Sequence, residues 1–112
     1  MIKLIATDID GTLLKYDFTC PAGLTDCLKK LEEEGIKVVP VTGRMHRAAI
    51  KIYNLLNLNA PLVSYQGGQI NTPDGKIIYQ KTLDKDCVQK AIKWARENNI
   101  HLQVYYNDTL YA

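Results

Sequence analysis

The sequence predicts an α/β fold built on a parallel sheet, and three features carry that prediction. Short apolar runs stand at residues 4–7, 37–41 and 62–65, amphipathic stretches separate them, and glycines and prolines mark the joints. Strand, helix, strand, helix, strand in that order implies parallel pairing through right-handed crossovers.

The first run, Leu4 to Thr7, is short, apolar and closed by acidic residues and glycine, as a buried parallel strand should be. Leu24, Cys27, Leu28 and Leu31 then recur at i, i+3, i+4 and i+7, one face of a helix, with Cys27 read as a small hydrophobe in that stripe. Pro21 near its start and Gly35 just past Glu34 mark its two ends. Lys37 to Val41 forms the second strand, although Pro40 is awkward in a sheet interior and blurs the strand's limits. Ala48, Ala49, Ile52, Leu55 and Leu56 give a second amphipathic helix that runs into Asn57 and stops before Pro61. Leu62 to Tyr65 is the third strand.

The pattern then changes. Gln69 to Asn71 and Lys76 to Gln80 flank Thr72-Pro73-Asp74-Gly75, a turn sequence that predicts a β-hairpin. Asp84 is placed to cap a third helix, with Leu83 positioned to pack on Val88 across the cap. Val88, Ala91, Ile92 and Ala95 supply its apolar stripe, and Trp94 borders it as a packing residue. Leu102 to Tyr105 alternates like a half-buried strand, Asn107-Asp108 turns, and Leu110-Tyr111 starts another. The expected division is a core unit at 1–80 and a second unit at 81–112. A first strand paired on only one side would leave an open edge, through which a homo-oligomer is conceivable.

At 112 residues, with 46% hydrophobic and 23% charged, the chain can bury a core and is not expected to be disordered. Its formal net charge of +2 comes from basic and acidic residues mixed along the chain, which argues against a nucleic-acid or membrane surface. Cys20, Cys27 and Cys87 form no Cys-x-x-Cys pair, and no signal-peptide apolar region precedes Asp8; the expectation is a cytoplasmic protein with free thiols.

The chemistry centres on Asp8-Ile9-Asp10-Gly11-Thr12, directly after the first strand. Open parallel sheets place ligands beyond the C-terminal ends of their strands, so both carboxylates are expected in that crevice. A carboxylate can attack phosphorus and divide a hard hydrolysis into two easier steps through an acyl-phosphate. Its approach to an anionic phosphate calls for a hard cation with oxygen ligands, Mg²⁺ foremost. A second carboxylic acid two residues on can protonate the leaving oxygen and later deprotonate water. Gly11 lets the backbone pass close to a phosphate. Val41-Thr42-Gly43-Arg44 ends the second strand, so the Thr42 hydroxyl and neighbouring backbone N–H groups suit a phosphate oxygen in the same crevice. Arg44 fits a substrate or cap contact and a solvated helix-start charge equally well.

Asp-Ile-Asp-Gly-Thr-Leu followed by Val-Thr-Gly-Arg resembles the haloacid dehalogenase (HAD) superfamily of phosphohydrolases, most nearly its Cof-type members. That resemblance implies a Rossmann-like HAD core with a parallel sheet, followed from about residue 81 by the start of an α/β cap that selects substrates. It implies Asp8 as nucleophile and metal ligand. Asp10 becomes the general acid/base, offering its backbone carbonyl to Mg²⁺, and Thr42, with Gly11, Gly43 and Arg44, binds the phosphorylated substrate, a small metabolite such as a sugar phosphate. Ser64-Tyr65-Gln66-Gly67-Gly68 stands where these proteins carry an Asn-Gly-Ala-like turn, from which Gln66 and Gly68 depart. The family's later lysine and its Gly-Asp acidic motif have no counterpart after Gln80, which suggests a fragment that is a poor catalyst alone. A phosphomutase shares the chemistry. A non-catalytic metal- or phosphate-binding module accounts for the missing motifs. A receiver-like phosphoacceptor accounts for Asp8 but not for Thr42 or the Asp10-Gly11-Thr12 run.

Overall fold

A computed structural model describes all 112 residues as two compact units, Met1–Gln80 and Lys81–Ala112. In the first unit, β1 (Leu4–Thr7) pairs in parallel with β2 (Lys37–Pro40), Leu4 opposite Lys37 and Thr7 opposite Pro40. The crossover between them is helix α1 (Leu24–Glu33), and α2 (His46–Leu55) leads on to β3 (Leu62–Ser64). A parallel bridge between Val41 and Val63 joins β2 to β3. From there pairing turns antiparallel, in the order β3, β4 (Gln69–Asn71), β5 (Ile77–Gln80).

Pro40 sits in β2 at little cost because of where its missing N–H would point. Lys37 and Val41 donate toward β1, to Lys3 and Thr7, whereas Thr42 donates to Val63 in β3. Backbone donors alternate sides along a strand, so position 40 faces β3 one ladder step below the first β2–β3 bond.

All three helices stop by the same device. Gly35, Asn57 and Asn99 take left-handed backbones with φ of 77, 52 and 53°. Each is followed by an apolar residue whose N–H reaches back to a carbonyl five residues earlier: Ile36 to Leu31, Leu58 to Tyr53, Ile100 to Ala95. These are Schellman closures, for which glycine and asparagine are the favoured residues.

Burial is less uniform than apolar periodicity suggests. Leu13, Leu28, Val38 and Leu56 form one core cluster between α1 and β2. Ala49, Tyr53 and Leu62 form another between α2 and β3. Tyr53 holds its place by donating its hydroxyl to the Ala60 carbonyl at 2.7 Å. Leu55, expected in the buried stripe of α2, is 64% exposed because the inner face runs through positions 49, 53 and 56. Cys27 is likewise exposed, on the outer side of α1. The expectation of a buried first strand also fails: β1 pairs with β2 alone and Leu4 is 55% exposed.

The β4–β5 hairpin is fastened by a ladder of amides. Gln80 donates to Gln69, Gln69 to Asn71, and Asn71 to the Gly75 carbonyl in the turn, where Gly75 adopts φ 88°.

The second unit consists of α3 (Lys85–Glu97) and a hairpin of β6 (Val104–Tyr106) and β7 (Thr109–Tyr111). Asp84 caps α3 by accepting from Asp86 and Cys87 N–H at 2.9 and 3.2 Å. Leu83 is 81% exposed, so no staple forms across that cap, and Ala95 is the one fully buried residue of the stripe. Trp94 stands more than half exposed rather than packed. Asn107 and Asp108 both adopt positive φ, as a tight two-residue hairpin turn demands.

Candidate functional site

The site grows from the alternation of one short segment. Ile9 is fully buried, so the residues on either side of it, Asp8 and Asp10, turn the other way, beyond the end of β1. The Ile9 carbonyl accepts from both Thr12 and Leu14, curling the chain back and fixing the pair. Both aspartates line an open pocket of about 520 Å³ with Val41, Thr42, Gly43, Arg44, Gln66 and Gly67. Three strand ends therefore feed one crevice: β1 brings the carboxylates, β2 the Thr42–Arg44 loop, and β3 the 3₁₀ turn Tyr65–Gly67.

Asp8 accepts from the Ile9 N–H at 2.7 Å through Oδ1, and no group of the chain bonds Oδ2. Asp10 is held differently. Arg44 grips it with two parallel bonds, Nε to Oδ2 at 2.7 Å and an Nη2 to Oδ1 at 2.6 Å. Those bonds hold the Asp10 carboxyl below its usual range, partly opposed by desolvation, and raise the Arg44 guanidinium correspondingly. The Phe18 ring lies 5.6 Å from the same guanidinium, a cation–π contact. A small loop presents it: Phe18, at φ 63°, donates to the Lys15 carbonyl, and Lys15 donates to Thr19.

Thr42 is almost fully buried, and its hydroxyl oxygen accepts from the Arg44 N–H at 3.1 Å. The hydroxyl proton is left for an acceptor in the pocket. The Thr42 and Arg44 backbone N–H groups are already committed, to Val63 and to the Thr42 hydroxyl. In this loop only the Gly43 N–H remains for a ligand.

Of the residues singled out from sequence, Asp8, Asp10, Thr42, Gly43 and Arg44 meet at this pocket, and Gly11 does not line it. Gly11 has its own reasons to be glycine: φ is 72°, and a Cβ there would fall 2.8 Å from the Tyr16 ring. Gln66 and Gly67 were singled out only as part of the Ser64–Gly68 turn, with no ligand role assigned, and Phe18 was not singled out at all. A Gly-Gly pair closing the third parallel strand was the available signal for the first two, since that strand end must open on the same crevice.

Mg²⁺ can be tested against this donor set. The Asp10 carboxylate is occupied by Arg44, which leaves the Asp8 carboxylate and the Asp10 carbonyl as hard oxygen ligands. Two protein oxygens suit an ion that keeps waters and shares phosphate oxygens. No group of three or more His, Cys, Asp or Glu side chains gathers anywhere in the chain to bind a metal more fully.

A parallel-stranded core carrying paired aspartates and a threonine loop at its strand ends defines a haloacid dehalogenase-like hydrolase. The chain matches that family over residues 5–112 and belongs to it. It is 30% identical over 111 residues to Phosphatase YwpJ of Bacillus subtilis, covering 99% of this chain and 39% of that protein. It is 32% identical over 100 residues to the B. subtilis 5-amino-6-(5-phospho-D-ribitylamino)uracil phosphatase YitU, covering 88% and 37%. A solved haloacid dehalogenase-like hydrolase from B. subtilis superposes with a TM-score of 0.87 at 29% identity, over 97% of this chain and 38% of that one. The chain thus spans about two fifths of the length of the relatives it matches.

Proposed function

We propose that this chain supplies the nucleophile half of a Mg²⁺-dependent phosphatase acting on phosphate monoesters of small metabolites. The observation that carries the reading is the placement of Asp8 and Asp10, on either side of buried Ile9, in one pocket with Thr42. Asp8 attacks phosphorus through its unbonded oxygen and becomes an aspartyl-phosphate as the bond to the leaving oxygen breaks. Asp10, released from Arg44 and protonated from solvent, gives that proton to the leaving oxygen and afterwards takes one from the attacking water. The Thr42 hydroxyl and Gly43 N–H hold the phosphoryl oxygens. The Asp8 carboxylate and the Asp10 carbonyl would hold Mg²⁺, which would supply charge neutralisation for the two approaching anions.

Sugar phosphates are the favoured substrates within that class, and residues 81–112 are read as the start of a substrate-selecting cap. The three exposed, unpaired cysteines suit a reducing cytoplasm. No helix is long and apolar enough to cross a membrane. The unpartnered side of β1, with Leu4 exposed, supports self-association through that edge.

A second reading has a specific observation behind it. Because no third acidic ligand gathers at the pocket, the 112 residues alone are expected to bind metal or phosphate weakly and turn over slowly. Phosphate release from sugar phosphates and p-nitrophenyl phosphate, with Mg²⁺ or EDTA, separates the readings. Metal-dependent release lost in Asp8→Asn supports a catalyst. Release indifferent to Asp8 sinks the phosphatase reading, and dimerisation without turnover favours the binding module. Product analysis with a second sugar present separates a mutase from a phosphatase.

A further inference from the structure

The turn joining β3 to β4 holds two non-glycine residues in the left-handed region. Tyr65, Gln66 and Gly67 adopt φ of 52, 56 and 92°, three left-handed residues in succession, of which only the last is glycine. Non-glycine residues held this way cost free energy and persist only where the surroundings enforce them. Here the neighbouring loop enforces them. Tyr65 donates its N–H to the Arg44 carbonyl at 2.9 Å and Gln66 donates to the Thr42 carbonyl at 3.2 Å. The turn is thus clamped to the Thr42–Arg44 segment from both sides.

The clamp sets the Gln66 side chain against Gly43. A Cβ on Gly43 would overlap Gln66 Nε2 and lie 2.8 Å from its Cδ. Gly43 lacks the positive φ that commonly calls for glycine; the Gln66 carboxamide occupies the place a Cβ would take, and a side chain at 43 would displace that flexible end. Both residues line the pocket that holds Asp8 and Asp10. No hydrogen bond within the chain engages the carboxamide, unlike those of Gln69, Asn71 and Gln80. A left-handed backbone thus delivers an uncommitted carboxamide against Gly43, in the pocket that Thr42 also lines.

We infer that the Gln66 carboxamide is a phosphoryl-binding donor of this pocket, and that position 43 is glycine so that this donor can be seated. The inference rests on the phosphatase reading and adds to it a side-chain contact to the phosphoryl oxygens. Inorganic phosphate is the probe, titrated with Mg²⁺ into the ¹⁵N-labelled 112-residue chain and followed by amide resonances. Gln66→Gly removes the carboxamide while relaxing the left-handed backbone, so weaker binding by that variant cannot come from strain. Gly43→Ala leaves Gln66 in place but pushes its amide out of its seat.

The Gln66 side-chain NH₂ should shift along the same curve as the Gly43 amide. Gln66→Gly should weaken phosphate about tenfold, as loss of one hydrogen bond to a charged group implies. Gly43→Ala should weaken it comparably, and the double variant should bind no more weakly than the weaker single one, because both changes remove one contact. Phosphate that moves the Gly43 amide with unchanged affinity in Gln66→Gly overturns the inference while leaving the phosphate site standing. Additive losses in the double variant also overturn it. Absence of any phosphate-dependent shift at Thr42 or Gly43 in the unmodified chain overturns the site itself, and this inference with it.

Discussion

The Arg44–Asp10 pair offers the sharpest quantitative test of the site's architecture. Arg44→Met removes the guanidinium and keeps much of the apolar stem; Asp10→Asn removes the charge and keeps the shape. The two bonds, at 2.7 and 2.6 Å, are charge-assisted and bidentate, and such bonds are worth about 1.5–3 kcal/mol when sheltered. The Asp10 side chain is 35% exposed and that of Arg44 31%, so solvent competition reduces the pair to about 1 kcal/mol. In the 80-residue unit that corresponds to a Tm change of roughly 4–8 °C. A double-mutant cycle by urea or thermal unfolding isolates the coupling. Its pH dependence has a fixed sign. The Arg44 bonds lower Asp10 below 3.8 in the folded chain, so the coupling is complete above that value and is lost as pH falls through the lower, folded-state pKa. The other carboxylates titrate equally in all four members of the cycle and cancel. Coupling below about 0.3 kcal/mol at neutral pH, or coupling that survives protonation of Asp10, would refute this account of the pair.

Three further outcomes follow from single contacts. Tyr53→Phe strands the buried Ala60 carbonyl that the Tyr53 hydroxyl reaches at 2.7 Å, and should cost about 1–2 kcal/mol in urea unfolding. Gly11→Ala forces a Cβ into a backbone at φ 72° and against the Tyr16 ring; it should destabilise by about 1–2 kcal/mol, and Tyr16→Ala in the same chain should recover the steric part but not the backbone part. Asp84→Ala removes the acceptor for two N–H groups of α3 and should cost about 1 kcal/mol, seen as faster amide exchange at Asp86 and Cys87.

Much of this fold was legible because the signals are local. The Pro73-Asp74-Gly75 turn, the Asp84 cap and the Gly35 helix stop each depend on a few consecutive residues, and each appears where the sequence places it. Burial was less legible because it depends on what packs from outside the element. Leu4, Leu55 and Cys27 fit an apolar periodicity, yet all three lie exposed: β1 has a partner on one side only, and the inner faces of the helices are narrower than their apolar stripes.

The same distinction divides the site. Asp8 and Thr42 were legible because one crossover separates them, and adjacent parallel strands must deliver their C-terminal ends to one side of a sheet. Their meeting is a consequence of topology and needs no knowledge of side chains. Arg44 was ambiguous because its choice between solvent and a carboxylate depends on a contact across 34 residues, with the Phe18 loop against its guanidinium. What packs against Gly43 was not legible for a related reason. A glycine next to a phosphate site suggests room for backbone and ligand, whereas here the space is taken by Gln66 from a different strand end. Variation at position 66 should therefore constrain position 43 before it affects Asp8 or Asp10. A side chain shorter than glutamine at 66 should make Gly43→Ala tolerable in phosphate binding, and a longer one should make it worse.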